Sequence, residues 1–239
     1  MYTSSPLFLL VLRKNIGYML VHHLIDPTRL AVELGYTLIV VSLCFMIFFK
    51  TREIYDLTKH KGIKYFRITF LFFGLAYLFR FLSILFILMK ITFDIYLPIH
   101  IFKIFSMFFV GYFSTMAILS LTYSTIWKKL QIKHILLLFN AIAVLISCIA
   151  FISMSHSPLI LSQAVLLSFT VIMATRSYSK SRKISPLFIL YILFFLFWIV
   201  NLFILGPKRF LPIEIQIALQ VVSIAVIGII YHKVTKWTK

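Results

Sequence analysis

Residues 68–88 read ITFLFFGLAYLFRFLSILFIL, twenty-one positions carrying one charge, Arg80. A helix rises 1.5 Å per residue and needs about 20 residues to cross roughly 30 Å of hydrocarbon. This stretch is therefore read as a transmembrane span. Six more runs match it: Leu30–Phe49, Ile99–Tyr123, Ile135–Met154, Leu159–Thr175, Leu187–Leu205 and Ile213–Tyr231. Proline marks five of the starts. Pro27, Pro98, Pro158, Pro186 and Pro212 lie at or just before a predicted N-terminus, where the missing N–H costs nothing, and no proline falls mid-span. The expected fold is all-α, a polytopic bundle of seven transmembrane helices.

Composition agrees. Of 239 residues, 62% are hydrophobic and 13% charged, against about 25% charged in a soluble domain. Soluble enzymes, nucleic-acid binders and secreted disulfide scaffolds are excluded together. The net charge of +18 would point to nucleic acid in a soluble protein; here it reads as topology. Sixteen of the 24 basic residues follow the first, third, fifth and seventh spans. They are Lys50, Arg52, Lys59, Lys61, Lys64 and Arg67; Lys128, Lys129 and Lys133; Arg176, Lys180, Arg182 and Lys183; and Lys233, Lys236 and Lys239. The positive-inside rule then puts the N-terminus outside and the C-terminus in the cytoplasm. The expected location is the plasma membrane, multi-pass, with anionic lipid on the cytoplasmic side.

Residues 30–232 form the membrane domain and 233–239 a short basic cytoplasmic tail. In residues 1–29, the apolar Leu7–Leu12 and Ile16–Val21 are split by Arg13, Lys14 and Asn15. Arg and Lys each cost about 2.5–3.5 kcal/mol at a helix centre. An outer interfacial helix or lid is expected there, not a cleaved signal, with an eighth span as the alternative. Cys44 and Cys148 lie at different depths, so they cannot meet disulfide geometry and read as small apolar groups.

Catalytic signatures are missing: no H-E-x-x-H, C-x-x-C, G-x-S-x-G or Gly-rich phosphate loop. Acids are almost absent from the spans, and the seven histidines sit mostly at loops and span ends. No enzyme, metal or cofactor is expected. The dimensions resemble microbial rhodopsins, but their chromophore needs a Lys in the middle of the seventh helix, and Ile213–Tyr231 has none. Small seven-helix sugar transporters use mid-helix prolines as hinges, and none is found here.

Ionisable residues inside a membrane are costly enough to be site candidates. Arg80 lies twelve residues past Ile68 and roughly 12 Å short of Leu88, beyond easy snorkelling. It is expected to face the bundle interior, with Tyr77 and Phe73 on the same face and Glu33 or Glu214 as candidate acids. Lys103, one turn into the third span, is the second cation, although snorkelling also explains it. Gln216, Gln220 and Ser223 share one stripe of the seventh span, as Tyr191, Phe194, Trp198 and Asn201 do on the sixth. Such groups commonly serve interhelical hydrogen bonding. Yet Arg80, Lys103, Gln163, Trp198, Asn201, Glu214, Gln216 and Gln220 all fall between midplane and outer surface. That bias predicts an outward-facing polar cavity for a small ligand.

The first cytoplasmic loop, Thr51–Arg67, reads TREIYDLTKHKGIKYFR. Ile54, Leu57, Ile63 and Phe66 could bury one side in the headgroups, with Gly62 as the break before the second helix. Lys59, Lys61, Lys64 and Arg67 would dock anionic lipid or a partner protein. Together with FLFFGLAYLFRF (Phe70–Phe81), this loop resembles uncharacterised archaeal seven-helix membrane proteins. Its layout is similar to the seven-helix sensor regions preceding some histidine kinases, although no transmitter domain follows before Lys239. The resemblance implies a sensory role. The leading expectation is a receptor-like protein signalling through a separate partner; the alternatives are a small transporter using the same cavity and a structural or assembly subunit.

Overall fold

The computed structural model describes residues 27–93, 99–127, 134–153, 157–181, 186–205 and 212–237. Among the described residues there are seven α-helices and no strand. They are α1 (Pro27–Thr58), α2 (Lys61–Phe93), α3 (Ile99–Ile126), α4 (Ile135–Ser153), α5 (Ser157–Ser181), α6 (Pro186–Leu205) and α7 (Ile213–Trp237). Six of them are long and apolar enough to cross a membrane; the exception is α6, whose described apolar stretch, Phe188–Ile204, is shorter. Pro27 and Pro186 open α1 and α6, Pro158 is the second residue of α5, and Pro212 immediately precedes α7. Of the expected lid, residues 1–29, the last three open α1, while residues 1–26 and Pro98 lie outside the described residues.

Consecutive helices pack on one another and α7 returns to α1, closing a ring. The third helix also packs on α5, so it touches α2, α4 and α5 and is drawn inside. Every residue from Ser114 to Ser124 on α3 is buried. Two sets of contacts show that the helices alternate in direction. At one end Ser124, late in α3, donates to the Gly62 carbonyl at the start of α2 (2.7 Å) and bonds the Tyr191 hydroxyl early in α6 (2.7 Å). At the other end Arg29, at the start of α1, donates to Gln216 at the start of α7 (2.9 Å). The described basic residues among those counted above, Lys50, Arg52, Lys59, Lys61, Lys64, Arg67, Arg176, Lys233 and Lys236, therefore lie toward the first of these ends, called here the basic end.

Two boundaries differ from expectation. Thr51–Arg67 is not a loop. The first helix runs on to Thr58, the second begins at Lys61, and only Lys59 and His60 separate them. The break falls at Lys59 rather than Gly62. Lys59 is left-handed (φ 51°), and its N–H donates to the Tyr55 carbonyl (2.7 Å), closing α1 with the αL cap that glycine usually provides. Gly62 lies inside α2, where a Cβ would come within 2.9 Å of the Trp127 indole nitrogen. The expected apolar stripe does not form, because Phe66 is in the core while Leu57 is 84% exposed. Likewise the basic tail is the last stretch of α7, helical to Trp237. Helices outlast the hydrocarbon because nothing in these polar extensions breaks them.

Between α2 and α6 the core is aromatic. Phe66, Phe70 and Phe73 recur at one face of α2. Phe70 meets Phe194 edge-to-face at 5.2 Å, and Phe73 meets Phe194, Phe197 and Trp198 at 5.5, 5.1 and 5.2 Å. Such pairs contribute about 0.5–1.5 kcal/mol each beyond area burial. In lipid, this packing rather than water exclusion holds helices together. The outward faces are hydrocarbon, with Leu137, Leu161, Val165 and Phe203 all more than 60% exposed. Cys44 is buried, Cys148 is half-buried, and both are free.

Candidate functional site

Three layers of polar side chains descend from the end opposite the basic one. At the top Arg29 Nε donates to Gln216 Oε1, joining α1 to α7. One turn along α1, Glu33 is buried and accepts from Arg80 Nη2 on α2 at 2.7 Å, the two side chains being only 6% and 10% exposed. Arg80 thus faces inward, and of the two candidate acids it takes Glu33. Its guanidinium carbon lies 5.8 Å from the centre of the Tyr77 ring, a short cation–π reach. Its other terminal nitrogen, Nη1, is buried and has no acceptor among the described residues.

The next layer is a closed hydrogen-bond circuit linking four helices. Tyr36 of α1 donates to Asn201 Oδ1 of α6 at 2.6 Å, and Tyr77 of α2 donates to the same oxygen. Asn201 Nδ2 donates to the Phe197 carbonyl (2.7 Å) and to Ser223 Oγ of α7 (3.0 Å). Ser223 Oγ in turn lies 2.9 Å from the Tyr36 hydroxyl. With Ser223 donating to Tyr36, every polar hydrogen of this layer has an acceptor. These four residues satisfy one another completely. Below them the aromatic packing of Phe73, Phe194, Phe197 and Trp198 fills the space between α2 and α6. The Trp198 indole N–H is buried there without an acceptor among the described residues.

The structure thus brings together Arg80, Tyr77, Trp198, Asn201, Gln216 and, on the same buried stripe of α7, Gln220. It adds Arg29, Tyr36 and the partner acid Glu33. Tyr36 sits three residues after Glu33 on α1, and that spacing was its only signal in the sequence. Other expected members stand apart. Gln163 is buried between α5 and α3, donating to Ser114 Oγ at 2.5 Å. Glu214 is exposed, because position 214 falls on the outward side of α7 while Gln216 and Gln220 turn in. The side chain of Lys103 lies outside the described residues.

At the basic end Lys59, Lys61 and Lys64 are exposed as expected of docking residues. Arg67 is not. It is half-buried, its guanidinium carbon 4.2 Å from the centre of the Phe48 ring, so it clamps α2 to α1 instead of reaching outward. Both acids of the hairpin are taken up locally, Glu53 by Lys50 (3.2 Å) and Asp56 by Lys59 (3.4 Å) and Arg52 (3.7 Å). Exposed pairs of this kind contribute about 0–1 kcal/mol. No group of metal-ligating side chains occurs among the described residues.

No family profile and no solved structure matches this chain. It is similar to a protein of Archaeoglobus fulgidus known only as an uncharacterized protein. The two are 34% identical over 216 residues, which cover 87% of this chain and 92% of that protein. At that identity and coverage, the chain belongs to the same family as this archaeal protein.

Proposed function

We propose that the chain is a receptor-like protein of the plasma membrane, spanning it seven times with its N-terminus outside. A small anionic or zwitterionic ligand binds at Arg80 from the outer side, and the response leaves through the basic cytoplasmic hairpin to a separate partner protein. One observation carries this reading: a buried guanidinium with one terminal nitrogen on Glu33 and the other without an acceptor among the described residues. An unmet buried donor costs about 1–3 kcal/mol, which a carboxylate or phosphate at Nη1 would recover. From Glu33 and Arg80, α1 and α2 run unbroken to Lys59 and Lys61, roughly 39 Å and 29 Å at 1.5 Å per residue. A ligand that draws Arg80 from Glu33 would therefore shift the two arms of the hairpin against each other.

The aromatic packing beneath Asn201 favours this reading over transport, which needs a path past Phe73 and Trp198. The closed circuit of Tyr36, Tyr77, Asn201 and Ser223 is assigned to helix fastening, the role that the structural alternative would give to every polar residue. The test is a thermal-shift titration of purified protein with acetate, glycine, glutamate and inorganic phosphate. At least one probe is expected to stabilise the wild type and Arg80→Lys more than Arg80→Leu. Indifference of the wild type to all four would remove the ligand reading. Orientation is checked separately in a background lacking Cys44 and Cys148. A cysteine placed at Glu214 should react with an impermeant thiol reagent on intact cells, whereas one placed at Lys61 should react only after the cells are permeabilised. Reaction of both on intact cells, or of the Lys61 position alone, would overturn the proposed topology.

A further inference from the structure

A second feature lies at the basic end, away from Arg80. The fifth and sixth helices touch least of the neighbouring pairs in the ring, and between them and α3 lies a cavity of about 40 Å³. Leu121, Leu167, Thr170, Ala174, Phe188 and Tyr191 line it. The hydroxyls in this wall are already engaged. Thr170 bonds Thr122 (2.6 Å) and donates to the Leu166 carbonyl (2.8 Å), while Tyr191 bonds Ser124 (2.7 Å). What remains open to an occupant is carbon. The volume is far below the roughly 300–1,000 Å³ of a small-molecule site, so it fits part of a chain rather than a whole polar ligand.

Charge at the mouth defines the other end of that occupant. Arg176, exposed, follows the lining residues Ala174 and Thr175 directly. Lys180 comes one turn later on α5. No Asp or Glu occurs anywhere from Ser157 to Leu205, so this positive charge has no acid of its own segment to meet. We infer that the α5–α6 groove is a site for an anionic phospholipid, one acyl chain lying against Leu167, Ala174 and Phe188 and the phosphate held by Arg176. This site does not depend on Arg80 binding a ligand, and no titration there affects it.

Native mass spectrometry of the full chain, released from micelles holding equal amounts of phosphatidylglycerol and phosphatidylcholine, tests it. The wild type should retain phosphatidylglycerol at least five-fold over phosphatidylcholine. Ala174→Phe, which fills the groove, should abolish that retention, while Val165→Phe on the exposed face of α5 should not. Arg176→Gln should keep lipid binding but level the two lipids. A measurement needing no variant guards against misfolding: phosphatidylglycerol with a diazirine in its acyl chain should cross-link within 167–195 more than ten-fold above the exposed face of α4. Equal retention of both lipids by the wild type, retention unaffected by Ala174→Phe, or cross-links spread evenly over the bundle would each overturn the assignment.

Discussion

The Arg80–Glu33 pair offers the sharpest test, because two opposing terms nearly cancel while both partners are present. Charges about 4 Å apart attract by about 4 kcal/mol at an effective dielectric near 20. Taking each ion out of water costs several kcal/mol, and here the side chains are 10% and 6% exposed. Removing one partner leaves the second cost standing alone. Glu33→Leu and Arg80→Leu should each destabilise the fold by about 3–5 kcal/mol. Glu33→Leu should be the harsher, since a guanidinium keeps its charge and would then lack an acceptor on both terminal nitrogens. The double variant Glu33→Leu/Arg80→Leu replaces the pair by hydrocarbon and should cost less than either single change. The assay is reversible unfolding in mixed micelles, read as a double-mutant cycle on tryptophan fluorescence. Single costs below about 1 kcal/mol, or a double variant showing their plain sum, would mean that the two charges do not stabilise each other.

Other consequences can be measured in the same way. Asn201→Leu removes contacts to Tyr36, Tyr77 and Ser223. At roughly 0.6 kcal/mol for each interhelical hydrogen bond, the loss should be near 2 kcal/mol by unfolding titration. Lys59→Gly should raise the melting temperature, because a side chain in the left-handed region costs about 1–2 kcal/mol, whereas the exposed pair with Asp56 is worth less. Lys59→Ile should lower it. Gly62→Ala places a Cβ 2.9 Å from Trp127 Nε1 and 3.0 Å from the His60 ring. It should cost about 1–3 kcal/mol as overpacking and broaden the Trp127 emission on refolding.

The elements legible in the sequence were those that lipid enforces. Seven apolar runs located the helices, four of the five prolines fall at their starts, and the depth of Arg80 alone implied that it turns inward. The ends were not legible, because hydropathy reports where hydrocarbon stops and not where a helix stops. The first and second helices consequently extend into a stretch that reads as a loop. Glu33 and Glu214 looked equivalent as acids at helix starts. Only the packing of α1 on α2 and the rotation of α7 separates them, and rotation about an axis is a tertiary property. Gln163 misled for the same reason: it has the right depth but belongs to the α3–α5 contact. Tyr36 went unnoticed because, in an aromatic-rich chain, a tyrosine three residues past an acid stands out only once its neighbours are known.

The seclusion of α3 has a consequence for how the protein enters the membrane. Of its membrane-length window, 56% is buried, against 39% or less in the other five helices of that class. It is lined with Ser114, Thr115, Ser120, Thr122 and Ser124, all facing protein. Such a segment gains little from contact with lipid tails and much from contact with α2, α4 and α5. During synthesis it should linger at the insertion machinery until α4 and α5 emerge to cover it. A chain cut after Ile126 would then hold a third segment with no proper solvent on one side, and should be cleared by membrane proteases. A cut within 206–211 would leave α1 to α6, with α2, α4 and α5 packed around it, and that longer fragment should persist.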